Sequence, residues 1–302
     1  MQRVRRLFQA EKTGHTGTLD PLASGLLPLL FGQATRFSDD LIQADKRYVA
    51  TLRFGFVSST GDAEGQITVF EPNTRNSDST RVCALNEAGL AAVLPRFVGE
   101  IEQVPPMYSA LKKDGKALYE YARQGLAIDR PARTVRVHEL HIKRFWHEGE
   151  NTFAELEVLC GKGTYIRTLA EDIARAAGTG AYLTALRRTQ VGGLHVEQAW
   201  TLPALETAVT QAQSLGNDLA ELLAPVDSLL SGLPVVELEL PMATRFCHGQ
   251  RLPLEIKGFE TGRVRVYCRA QQPEPRFLGT AFLETNGETA LLRPERLIQD
   301  AL

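Results

Sequence analysis

GHTGTLDPLASGLLP, residues 14–28, packs one histidine, one aspartate, three glycines and two prolines into fifteen positions. No regular helix or strand runs through such a composition. Glycine opens φ > 0 and lets another backbone approach closely, whereas proline fixes φ and removes a donor. Asp20 precedes Pro21, which drives its backbone toward the extended region. Read alone, the pair is an Asp-Pro turn beside a buried histidine. The apolar residues Leu26, Leu27, Leu29, Leu30 and Phe31 that follow anchor the loop to a core. Stiff polar loops on a packed scaffold are where chemistry tends to sit.

The rest of the chain bounds what that loop can serve. Its 302 residues allow one large domain and a small one, and 43% hydrophobic with 23% charged residues fits a soluble globular protein. Net charge is −2, but its distribution is uneven. Residues 104–147 hold nine Lys or Arg against four Asp or Glu, and residues 201–240 hold six acidic residues and no Lys or Arg. A basic middle beside an acidic stretch suits either an RNA-binding face or a solvated surface. The four cysteines, 83, 160, 247 and 268, form no CxxC pair, so a zinc site is not expected and free thiols in a reducing cytoplasm are. No apolar run approaches the roughly 18 residues of a membrane helix, and residues 1–10 lack an apolar signal core.

Patterning predicts a short N-terminal helix with Val4, Leu7 and Phe8 on one face. Strands follow at 46–57 and 66–70 around the turn SSTGDAEG, and a helix capped by Asn86 spans 86–94. A helix is predicted at 115–124, and long strands at 134–146 and 152–160. The stripe Ile166, Leu169, Ala170, Ile173, Ala174 and Ala177 marks an amphipathic helix over 165–177, with Gly178 as its C-terminal stop. A linker is expected near 225–234, followed by the strand-like runs VVELEL, RVRVYCRA, RFLGTAFLE and TALLRP. Other patterns fail inspection. CGKGT does not complete a P-loop, and the histidines of HELH, 138–141, point to opposite faces of a strand.

GHTGTLDPLASG resembles the catalytic motif of the TruB-type tRNA pseudouridine synthases. Further segments match in the same order: DKRYVATLRFG (45–55), VPPMYSALKKDGKALYEYARQG (104–125), CGKGTYIRTLAEDI (160–173) and GAYLTALRRTQVGG (180–193). The resemblance runs from about residue 2 to about 195. It implies an α/β (α+β) chain with the pseudouridine-synthase fold: a central, mostly antiparallel mixed sheet plus a small β-rich, PUA-like C-terminal domain. Residues 1–230 would be the catalytic domain, with an RNA-clasping insertion at 104–130, and residues 231–302 the C-terminal domain. Family members carry a strand with a Lys-Pro-x-Gly run before the first helix. None stands before Met1 here, so native residues are expected upstream.

The implied reaction isomerises uridine to pseudouridine at position 55 of the tRNA T-loop, on an extruded nucleotide and without a cofactor. Asp20 maps to the essential carboxylate, and Arg167 to the arginine that pairs with it. Read from the residues alone, Arg167 would instead pair with Glu171 one helical turn on. Tyr48 maps to the active-site tyrosine, chiefly a stacking ring, since an ordinary phenol is a poor base at neutral pH. His15, Tyr165 and Leu186 map to substrate-binding positions, and Leu186 reads equally as core. Lys112, Lys113, Lys116, Tyr119 and Arg123 sit where the family grips RNA by phosphate neutralisation and stacking. The expected partner is the T-stem-loop of tRNA, with no membrane and no obligatory protein partner. Two rival readings are a guide-RNA-dependent synthase subunit and a tRNA-folding chaperone.

Overall fold

A computed structural model describes residues 1–71, 85–126, 128–255, 258–269, 275–286 and 289–299. Cys83 lies outside the described residues. By compactness the chain forms two units. One comprises residues 17–27 and 43–197; the other gathers residues 1–16, 28–42 and 198–302.

The first unit is built on a seven-stranded sheet. Its path runs Leu194–His195, Ala181–Val191, Lys46–Phe54, Asn151–Cys160, Arg133–Glu148 and Gly99–Gln103, each neighbour antiparallel. The seventh strand, Ala23–Gly25, adds in parallel to Ala181–Val191, pairing Leu186 with Ala23 and Arg188 with Gly25. Alternation explains the sheet. Thr152, Ala154, Leu156, Val158 and Cys160 are buried on one face of their strand, and the residues between them are half-exposed. The amphipathic helix Ile166–Ala176 lays Ile166, Leu169, Ala170, Ile173 and Ala174 on that face. Gly178, at φ +79°, follows its end in the left-handed conformation. Asn86 caps the helix Glu87–Val93 by accepting from the Gly89 amide at 2.8 Å.

The second unit contains a five-stranded sheet ordered Val235–Leu238, Gly262–Cys268, Arg276–Asn286, Thr289–Leu297 and Leu252–Glu255, with the helix Leu240–Cys247 packed on its own core. The short helix Gln2–Leu7 buries Val4 against Leu205 and Val209 of the helix Leu202–Leu215. Asp40 is shared between Arg263 and Arg296, and Asp39 pairs with Arg296 at 3.0 Å. Three cysteines, Cys160, Cys247 and Cys268, are free thiols. Among the described residues no helix is long and apolar enough to cross a membrane, and no group of His, Cys, Asp or Glu could hold a metal ion.

The segment 115–124 departs from the single helix that its composition suggests. Lys112–Lys113 and Lys116–Ala117 form a minimal hairpin, and the helix starts only at Leu118. The reason is the Asp114-Gly115 pair, both residues at positive φ (+51° and +80°), which makes a tight turn and cannot extend a helix. Lys116 therefore belongs to the hairpin.

Candidate active site

The loop 17–27 reaches the sheet edge by a turn that its sequence dictates. The Asp20 carbonyl accepts from the Ala23 amide at 2.8 Å, closing a β-turn with Asp first and Pro21 second. The backbone then enters the strand Ala23–Gly25. Gly25 sits at φ +100°, and a Cβ there would lie 2.2 Å from the Arg188 carbonyl oxygen. Only glycine lets the loop close so tightly on its neighbour.

Arg167 faces this turn from the start of the helix Ile166–Ala176. A cation in the first turn is opposed by the helix dipole, and this one is 5% exposed, so it requires partners. Its Nε lies 2.9 Å from Asp20 Oδ2, an ion pair rather than an aligned hydrogen bond. Nη1 donates to the Thr60 carbonyl at 3.0 Å, and Nη2 to the Tyr108 carbonyl at 2.8 Å. A second carboxylate, Asp62, stands 3.7 Å from Nη1 and is itself buried. Asp62 Oδ1 accepts from the Thr60 hydroxyl at 2.6 Å and from the Glu64 amide at 3.1 Å. Its turn packs on the helix so closely that a Cβ on Gly61 would meet Glu171 Oε1 at 2.8 Å. The alternative pairing of Arg167 with Glu171 does not form; Arg175 takes Glu171 at 3.6 Å and Asp172 at 2.8 Å.

Tyr48 stands on the strand Lys46–Phe54, opposite Val158 on one side and Arg188 on the other. Burial raises its phenol pKa above the ordinary value, and the adjacent Arg188 guanidinium opposes that shift. The ring is thus a poor proton acceptor and a well-placed flat surface. Tyr165 is the N-cap of the Arg167 helix. Its amide donates to Gln103 Oε1 at 3.0 Å, and its carbonyl accepts from Gln103 Nε2 at 3.3 Å. Burial raises the Tyr165 phenol as well, countered by the Ser109 hydroxyl against it. Leu186, 7% exposed, lies opposite Ala50 and belongs to the main core cluster.

His15 belongs to the second unit, exposed on the strand Thr13–His15 opposite Leu29. Lys112, Lys113, Lys116, Tyr119 and Arg123 are all exposed. The Arg123 guanidinium covers the Tyr119 ring at 5.3 Å, and the Tyr121 hydroxyl donates to the Lys113 carbonyl at 3.2 Å. Sequence reading passed over Asp62, Arg188 and Gln103. Asp62 was hidden inside SSTGDAEG, which reads as a polar turn; nothing local signals that the turn folds onto a helix over a hundred residues away.

The fold has known counterparts. It superposes on the chain in the crystal structure of a Cbf5-Nop10-Gar1 complex with a TM-score of 0.67 at 23% identity, over 95% of this chain and 74% of that one. An H/ACA RNP bound to a substrate RNA containing 2'-deoxyuridine also gives 0.67, at 22% identity over 99% and 81%. Residues 5–166 match the TruB family pseudouridylate synthase N-terminal domain, residues 167–231 the tRNA pseudouridylate synthase B C-terminal domain, and residues 234–298 the pseudouridine synthase II TruB C-terminal domain. A tRNA pseudouridine synthase B of Burkholderia mallei (strain NCTC 10247) is 50% identical over 303 residues, covering 99% of this chain and 91% of the relative. One of Ralstonia nicotianae (strain ATCC BAA-1114 / GMI1000) is 49% identical over 296 residues, 98% and 88%. The chain belongs to the TruB family of pseudouridylate synthases.

Proposed function

We propose that this isomerase, a tRNA pseudouridine synthase, acts on uridine 55 in the T-loop, with Asp20 as its catalytic carboxylate. The observation that carries the assignment is the Asp20–Arg167 ion pair, made between a turn and a buried guanidinium that is fixed by Asp62 and two carbonyls. In the reaction the C1′–N1 bond breaks, the uracil turns over, and a C1′–C5 bond forms. The C5 proton is lost and N1 gains one, so product and substrate are isomers and no redox partner is needed. A carboxylate serves this chemistry as a nucleophile at C1′, as a nucleophile at C6, or as the base that forms a glycal. In each route Arg167 aims it. Tyr48 stacks on the extruded uracil, Tyr165 and Leu186 line its pocket, and His15 binds near the extruded nucleotide. Residues 1–230 would carry catalysis and 231–302 the PUA-like domain.

Extruding a base from a folded loop costs a few kcal/mol, which contacts elsewhere must offset. Lys112, Lys113, Lys116, Tyr119 and Arg123 supply them through phosphates and stacked bases. The names of the relatives at about 50% identity support tRNA as substrate. They favour the stand-alone enzyme over a guide-dependent subunit, since the chains from the Cbf5-Nop10-Gar1 complex and the H/ACA RNP share the fold at only 22–23% identity. The test is a bare T-stem-loop transcript mapped for pseudouridine. Wild type should modify position 55 unaided, and Asp20→Asn should lose at least about a thousandfold in rate while still binding RNA. Residual turnover above about a tenth of wild type would exclude Asp20 as the catalytic group.

A further inference from the structure

Arg188 is the most deeply buried guanidinium in the described part of the chain, at 3% exposure. A buried charge is normally paired with an opposite one. Arg188 has no ion pair among the described residues. Its hydrogen bonds go to main-chain carbonyls on both sides of Asp20: Nε donates to Leu26 at 2.8 Å, and Nη1 reaches Thr18 at 3.4 Å. Its own carbonyl accepts from the Leu26 amide at 2.8 Å, and its backbone pairs with Gly25 in the parallel ladder. On its other side Arg188 stands opposite Tyr48 in the antiparallel register. Nη2 is buried with no aligned partner among the described residues.

From this geometry we infer that Arg188 is a positioning residue of the site, bracketing the Asp20 turn and holding it in register with the Tyr48 ring. Asp20 lies between its two carbonyl acceptors, so moving the guanidinium moves the carboxylate. A lysine cannot replace it, because one ammonium cannot reach both carbonyls and still stand beside the Tyr48 phenol as the planar fork does. The inference rests on the assignment of Asp20 and Tyr48 above.

Single-turnover rates at saturating enzyme test it, because they do not depend on what fraction of a destabilised variant is folded. Arg188→Lys should bind the T-stem-loop within about threefold of wild type and isomerise it about a hundredfold more slowly, a displaced carboxylate being costly at that level. Arg188→Ala should be slower still and recover at least about tenfold on adding methylguanidinium, which refills the space with the same fork. In a Tyr48→Phe background the Arg188→Lys loss should shrink, since part of it acts through the phenol. A full single-turnover rate for Arg188→Lys overturns the inference. So does a loss confined to RNA affinity, or an Arg188→Ala enzyme that methylguanidinium leaves unchanged. Asp20→Asn run alongside separates the two conclusions. If it is inactive while Arg188→Lys is fully active, the active-site assignment stands and only the role of Arg188 fails.

Discussion

Asp62→Asn isolates the contribution of the second carboxylate. The substitution keeps size and leaves Oδ1 to accept from Thr60 and Glu64, while removing the charge 3.7 Å from Arg167 Nη1. Two unit charges at that separation attract by about 4.5 kcal/mol at an effective dielectric near 20. Removing one member of a buried pair costs about 3–5 kcal/mol because the other is left uncompensated. Here Arg167 retains Asp20 and two carbonyl acceptors, which places the loss at the lower end, about 3 kcal/mol. In urea that is a midpoint lower by about 1 M. The amide also turns a donor toward the guanidinium, so Arg167 should swing away from the Thr60 carbonyl and carry the Asp20 contact with it. A shift of about 1 Å at the reacting group costs about a hundredfold in rate. Equilibrium unfolding and single-turnover isomerisation measure the two effects separately. An unchanged midpoint together with a rate within about twofold of wild type would show that the buried carboxylate does not hold Arg167. A double-mutant cycle with Arg167→Met should then give no coupling.

Arg167→Lys preserves charge but loses the fork that meets Asp20, Thr60 and Tyr108, so kcat should fall far more than RNA affinity; equal losses in both would place Arg167 on phosphate. Neutralising Lys112, Lys113 and Lys116 together should weaken RNA binding and flatten its salt dependence by about 0.7–0.9 per lost phosphate contact, and an unchanged slope would move the RNA surface elsewhere. Stability should also carry a pH signature. Burial, with Arg188 beside it, lowers Lys46 from 10.5 to about 8, and burial raises Cys160 from 9.0 to about 12. From pH 8 to 9 the unfolded chain holds a lysine proton that the folded chain releases, so stability rises with pH. Above 9 the unfolded chain loses a thiol proton that the folded chain keeps, which opposes the rise and, beyond 10.5, reverses it. Lys46→Met should abolish the rise between pH 8 and 9 in urea midpoints; a rise that persists would assign it to another group.

What could be read in advance follows from the range of the interactions involved. The alternation of Asn151–Cys160 and the stripe of Ile166–Ala176 are local, and both elements stand where their periodicity puts them. The cap at Asn86 is local as well. The Asp114-Gly115 turn is local too, yet the polar spacing of 115–124 concealed it, because helix and hairpin share residue types there. Asp20 and Arg167 were reached through family resemblance, since spacing alone paired Arg167 with Glu171. That pairing lost to tertiary structure: a buried guanidinium gains more from two carboxylates and two carbonyls than a surface pair offers, at about 0.3–0.5 kcal/mol. Asp62 and Arg188 escaped notice for a related reason. One is part of a turn and the other of a strand, and their partners lie 105 and 162 positions away.

The second unit is discontinuous in sequence: residues 1–16 and 28–42 close a core with residues 198–302. A ribosome therefore delivers its pieces on either side of the stretch 43–197. Most of the first unit, residues 43–197, is one uninterrupted stretch and can condense as soon as it emerges, as domains generally do during synthesis. Helix Gln2–Leu7 and the acidic pair Asp39 and Asp40 must wait for Val209, Arg263 and Arg296. These residues are thus made before the first unit and placed after it, and a nascent chain stalled before residue 198 would expose Val4 and leave Asp40 without its arginines.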